Sequence, residues 1–281
     1  GRLAIAWFTY HTSRATERES LLGDPHHRWM TALGEYSADS AVLTIYRTDG
    51  GIFNSDTPVE NFEIGQMDFR IKDCEHAEIQ FDIHGGLWEG YIPLRRGAND
   101  NAGWCEELQP ANASMETAAV ISSEEGSFQI TAGLNGAWYN PDWPGQGFYI
   151  DVMPQEQKIF AGWFTFDTER LNETGPKYSL GVRNQRWLTA LGEYQGNLAK
   201  LDLLLTSGGS FLSHQLPVTN QDYGTLCLEF IDCETATVSY EIQDPGMEGI
   251  IPLKRISNEN TEACELMAAQ AASASNVEPL Q

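Results

Sequence analysis

Glu35 and Glu193 are carboxylates in identical settings, each preceded by Ala-Leu-Gly and followed by tyrosine. A pair of carboxylates about 5 to 10 Å apart can hydrolyse a glycosidic bond, one as acid and the other as base or nucleophile. Each copy of the motif supplies one carboxylate, so Asp73 or Asp232, each next to a cysteine, would have to complete the pair. The competing reading is that these charges face solvent at strand ends or cap turns. His26 and His27 are adjacent, and neighbouring residues of a strand point to opposite faces, so a shared metal would require a loop. His11, His76, His84 and His214 fall at spacings that make no ligand set. There is no Gly-x-Ser-x-Gly elbow, and no serine or cysteine recurs in a setting that pairs it with histidine for nucleophilic attack. The sequence therefore assigns no catalytic residue and no His/Cys metal centre. Composition does permit Ca²⁺, because Asp39, Asp49, Asp56 and Asp100 lie in expected loops and hard cations take oxygen ligands, although no Asp-x-Asp-x-Asp-Gly loop occurs.

Among the aromatics, Trp7, Trp29, Trp163 and Trp187 recur in equivalent settings and read as core. Trp138, Tyr139 and Trp143 belong to a proline-rich stretch found only in the second half of the chain. Trp143, flanked by Asp142 and Pro144, is the best candidate for a surface platform. With Tyr139 and Asn140 it makes a binding candidate that could stack on a sugar or anchor a protein neighbour.

The elements that carry these residues come from a tandem duplication. Arg28-Trp29-Met30-Thr31-Ala32-Leu33-Gly34-Glu35-Tyr36 returns as Arg186-Trp187-Leu188-Thr189-Ala190-Leu191-Gly192-Glu193-Tyr194. Trp7-Phe8-Thr9 matches Trp163-Phe164-Thr165, Gly50-Gly51 matches Gly208-Gly209, and Ile92-Pro93-Leu94 matches Ile251-Pro252-Leu253. Within each copy, apolar and polar residues alternate, as in Ala77, Ile79, Phe81, Ile83 and in Ala236, Val238, Tyr240, Ile242, which is the signature of strands with one buried face. Short connections rich in Gly, Pro, Asn and Asp separate them. The expected fold is all-β: two tandem antiparallel modules, each a small meander barrel or a sandwich, the barrel being favoured because closure removes edges. The boundaries read as module 1 at 1–108, a small-residue acidic linker at 109–127, module 2 at 128–266 and a flexible tail at 267–281.

Cys74 and Cys105 are separated by the same interval as Cys233 and Cys264, which predicts one disulfide per module and an oxidising compartment; Cys227 is left over as a free thiol. A net charge of -23 argues against nucleic acid as a partner, since phosphate binding needs a basic patch. No apolar run is long enough to insert in a membrane as a helix. The absence of a leader reads as a mature or trimmed product of an exported precursor, secreted or at the cell surface, with the periplasm as a further possibility.

The copies differ at their beginnings. The second carries Gly136-Ala137-Trp138-Tyr139-Asn140-Pro141 and Gly145-Gln146-Gly147-Phe148 ahead of its Trp-Phe-Thr strand, whereas the first starts almost on that strand and so lacks an opening strand. Such a module has an exposed edge, to be covered by a strand from a neighbour or by an in-chain substitute such as 127–134, unless the chain is simply trimmed. Trp138-Tyr139-Asn140-Pro141, Gly145-Gln146-Gly147-Phe148 and Trp163-Phe164-Thr165-Phe166-Asp167 resemble the signatures of a family of secreted proteobacterial β-rich repeat modules with no established activity. In the first copy His11 stands where that family has Asp. The resemblance implies export and a β fold and supplies no catalytic residues. The opening strand is also faintly similar to that of avidin-type barrels, but Pro144 occupies the place of their ligand-contacting Ser. The expected function is a non-enzymatic extracellular or cell-surface protein for structure or assembly, polymerising through strand addition between copies of itself. The alternatives are a module binding carbohydrate, another small ligand or a surface protein, and a secreted hydrolase.

Overall fold

A computed structural model of the chain describes residues 1–12, 21–97, 102–107, 128–169, 179–213 and 217–275. The linker read at 109–127 lies outside these residues, as do His214 and Asp100.

Module 1 is a six-stranded antiparallel meander with strands in chain order: β1 (Arg2–Tyr10), β2 (His27–Ser37), β3 (Ser40–Asp49), β4 (Glu60–Ile71), β5 (His76–Ile83) and β6 (Trp88–Arg95). A short helix, α1 (Ala102–Glu107), follows, tied to the β4–β5 turn by the Cys74–Cys105 disulfide. Module 2 repeats that meander as β9 (Lys158–Phe166), β10 (Gln185–Gln195), β11 (Leu198–Ser207), β12 (Thr219–Phe230), β13 (Thr235–Ile242) and β14 (Met247–Arg255). Two more strands precede it, β7 (Gly136–Tyr139) and β8 (Gly147–Met153), and they bridge β14 to β9 to close an eight-stranded barrel. Among the described residues, module 1 has no counterpart of β7 and β8, in keeping with the opening strand expected to be missing from it. The proline-rich start of the second copy turns between Asn140 and Gln146 and so makes a hairpin.

The alternation seen in the sequence places every second side chain inside. In the barrel, Ile150, Val152, Leu201, Leu228, Val238 and Leu253 are among the inward residues, and all are buried. Both meanders carry a bulge at the same place, between Ile45 and Tyr46 and between Leu203 and Leu204. Gly65 and Gly224 lie beside it, where a β-carbon would overlap the carbonyl of Asp82 or Glu241 on the next strand, so glycine lets the sheet bend as closure requires.

The chain from Met267, expected as a tail, is helical as far as Ser275, within α2 (Thr261–Ser275). The Cys233–Cys264 disulfide fixes that helix over the barrel end, where Cys264 packs on Gly133 in a short helical turn, Ala132–Leu134. A disulfide anchors what an alanine- and serine-rich run has little apolar surface to hold. Ile130 and Leu134 are buried in the core of module 2, so the stretch considered as a substitute strand for module 1 serves the other module.

The two disulfides point to an oxidising environment, extracellular or periplasmic. No helix among the described residues is long and apolar enough to cross a membrane. Cys227, half-buried on β12, is a free thiol.

Candidate functional site

The repeats do not hang side by side; they interlock through equivalent residues. Trp29 donates its indole N–H to the carbonyl of Thr165 at 2.9 Å, and Trp187 does the same to Thr9 at 2.9 Å. The main-chain N–H of Trp29 meets Gln185 Oε1 at 3.3 Å, while that of Trp187 meets His27 Nδ1 at 3.3 Å. Gln185 Nε2 in turn donates to Thr48 O at 3.2 Å, and His27 Nε2 to Thr206 O at 2.6 Å. Each Gly-Gly-x-Phe loop crosses to the opposite module. Phe53 enters the barrel core against Trp163 and Tyr240, with ring centroids 5.4 and 5.8 Å apart. Phe211 enters the core of module 1 against Trp7 and Phe81, at 5.6 and 6.2 Å. A β-carbon at Gly51 would overlap the ring of Phe166, and one at Gly209 the ring of Tyr10, so the second glycine of each loop is what admits the neighbouring aromatic. Leu22 and Leu180 are exchanged in the same way. This is the isologous pattern of a symmetric dimer written into one chain.

The symmetry has informative exceptions. Arg186 is buried, pairs with Asp167 at 2.8 Å and donates through Nε to Leu22 O at 2.6 Å. Asp167 also accepts the N–H of Leu22 at 3.2 Å. Asp167 thus neutralises Arg186 and holds a loop of module 1; His11 stands at its place in the first copy. His27, stacked on Trp187 at 4.2 Å and fully buried, occupies the place of Gln185, and burial pushes its imidazole down to about 3.

The residues singled out in the sequence for chemistry are dispersed. Glu35 and Glu193 are exposed on outer strand faces. Asp73 accepts the N–H groups of Glu75 and His76 at 2.8 Å each, and Asp232 those of Glu234 and Thr235 at 2.8 and 2.7 Å, so both close the same turn. His26 contacts Asp24, His76 contacts Asp73, and His84 reaches the carbonyl of Ser179. Asp49 is paired with Arg47 at 2.9 Å. Among the described residues, no group of three or more His, Cys, Asp or Glu converges as a metal site.

Asn140 is buried and its Oδ1 accepts the N–H of Asp142 at 2.9 Å, shaping the β7–β8 turn. Trp143 packs against the barrel core, and Tyr139 is half-buried opposite Lys254. The cavity beside Asn140 and Trp143 has a volume of about 10 Å³, close to the space of one water, because Asn54 and its loop fill the barrel mouth. Asn54 donates to Tyr240 Oη at 2.8 Å, and Gln146 bonds Ile52 and Asn54 of the same loop. The signal for this interlock was the recurrence of Gly50-Gly51-Ile52-Phe53 as Gly208-Gly209-Ser210-Phe211; the spacing alone does not say that the loops cross.

Among the described residues, what remains without a strand partner is the wall of module 1. Among the described residues, β1 pairs only with β2, and β6 only with β5. The inward side chains of those edges, Leu3, Ile5 and Trp7 on β1 and Trp88, Ile92 and Leu94 on β6, are only partly buried. Their counterparts Ile159, Ala161 and Trp163, and Ile251 and Leu253, are at most 3% exposed inside the closed barrel. The outer face of β3–β6 adds a broad groove of about 920 Å³ lined by Glu63, Asp68, Asp82 and Glu89. No family model, curated protein or solved structure matches the chain.

Proposed function

We propose that the protein is a non-enzymatic structural or assembly component, secreted or at the cell surface, whose first module takes up β-strands supplied by another polypeptide. The observation that carries this reading is the open wall between β1 and β6, apolar on its inner side, in a chain whose own repeat is closed at the same place. Edge N–H and C=O groups that no other described strand pairs supply affinity through main-chain hydrogen bonds, and the apolar lining supplies selectivity. The disulfides suit an extracellular setting, and the charge of -23 suits a soluble surface rather than a polyanion partner. The duplication is consistent with a structural role, since the recurring buried residues serve packing between the modules.

The test is the state of the oxidised protein over a concentration series, by light scattering after size exclusion and by negative-stain microscopy. Strand addition between subunits predicts concentration-dependent oligomers or filaments, abolished by Ile92→Lys, which places a charge on the inner face of the β6 edge. A strict monomer at every concentration, with β1 and β6 amides already slow to exchange, would sink the proposal.

A further inference from the structure

We infer that the wall between β1 and β6 receives a two-stranded hairpin with the inward chemistry of β7–β8: tryptophan on the strand beside β6, and an aromatic followed by two aliphatics at alternate positions on the strand beside β1. The inference rests on the strand-addition reading and specifies its partner.

The template is the barrel itself. There β8 lies against β9 with Phe148 opposite Trp163, Ile150 opposite Ala161 and Val152 opposite Ile159. All three are buried, and Phe148 stacks on Trp163 at 5.1 Å. Carried across the repeat, these positions fall opposite Trp7, Ile5 and Leu3, the half-buried inward residues of β1. Phe81 and, from module 2, Phe211 cover Trp7 on its core side, at 5.0 and 5.6 Å, and no described strand covers the side that corresponds to Phe148.

The other edge carries an independent mark. In the barrel, Trp138 pairs with Arg255, whose guanidinium lies 5.2 Å from the indole and whose Nη2 donates to Gly133 O. Arg255 is buried by this arrangement. Its equivalent in module 1 is Arg96, which is exposed and held at its Nε by the carbonyl of Cys74 at 2.9 Å. A cation is thus anchored at the end of β6 where a tryptophan from the hairpin would stack on it. Two strands are also the number that completes an eight-stranded closure, so a hairpin and not a single strand fits the gap.

The experiment adds a synthetic peptide with the sequence 136–153 to the oxidised chain. It reads affinity by calorimetry and backbone protection by hydrogen exchange. The expected result is saturable one-to-one binding that slows exchange in β1 and β6, weakened at least tenfold when the peptide carries Trp138→Ala or Phe148→Ala. Replacing the protein's exposed Arg96 by Gln should weaken binding about fivefold, as the loss of a partly desolvated cation–π contact implies. If substituted and parent peptides protect β1 and β6 equally, the wall adds strands but the hairpin chemistry is refuted. If no peptide slows exchange there, or if both edges are protected before peptide is added, strand addition itself is refuted.

Discussion

His27→Gln should remove an acid sensitivity from the protein while leaving its interface intact. His27 sits where the repeat has Gln185, and both side chains make the same two cross-module bonds: one accepts a tryptophan main-chain N–H, the other donates to a threonine carbonyl. Glutamine therefore has a precedent for this position within the same chain. Unfolded histidine titrates near 6.5. In the folded protein, burial holds His27 down to about 3, with Arg186 and Arg28 pushing the same way and the Thr206 carbonyl and Asp24 opposing. A base whose folded value is depressed contributes stability that is fully present above pH 6.5. That contribution is lost as pH falls toward 3, because the unfolded chain takes up the proton first. Each pH unit in that window costs about 1.4 kcal/mol, so about 2 kcal/mol is lost by pH 5 and at most about 5 by pH 3. Burial works against the charge of Asp24, yet the His26 main-chain N–H and the neighbouring histidines hold its carboxyl below 3.8, so its own contribution is lost only at lower pH. Urea unfolding followed by tryptophan fluorescence at pH 7 and pH 5 isolates the histidine. The parent should lose about 2 kcal/mol more than His27→Gln between the two pH values, with the two proteins within about 1 kcal/mol of each other at pH 7. Equal pH dependence in both would refute the assignment of a neutral, buried imidazole to this contact.

The exchange of loops predicts that damage appears in the opposite module. Phe211→Ala should cost about 3 to 5 kcal/mol and raise hydrogen exchange in β1 and β5, whereas Phe53→Ala, of similar cost, should loosen β9 and β13; effects confined to the module that carries the substitution would contradict the interlock. Asp167→Asn leaves the buried Arg186 without its counter-charge and should lower stability by about 3 kcal/mol in urea melts, and a change under 1 kcal/mol would show that the carbonyls around Arg186 suffice.

Much of the fold was legible because it is carried by short-range pattern. Alternation in 77–83 and 236–242 marks strands, equal cysteine intervals give the disulfides, and one repeated motif aligns the two modules. The candidate site was less legible because it depends on which module a side chain enters. Trp143, Tyr139 and Asn140 looked like a ligand platform because they stand in a proline-rich turn with polar neighbours. The loop that fills the space beside Asn140 and Trp143 comes from Phe53 and Asn54, remote in sequence, and no local pattern encodes that crossing. Helix α2 was hidden for a related reason: its small residues carry no apolar stripe, and Cys264 supplies the attachment. The same crossing explains how module 1 can keep an open wall. A sheet with two free edges and half-exposed Trp7, Ile92 and Leu94 is a poor domain by itself. Phe211 and Leu180 of module 2 fill part of its core, and the main-chain N–H groups of Trp29 and Trp187, bonded to Gln185 and His27, clamp its β2 to β10. The interlock thus supplies stability at one side of module 1 that the closed barrel finds in its two further strands, while among the described residues β1 and β6 remain the edges of the sheet.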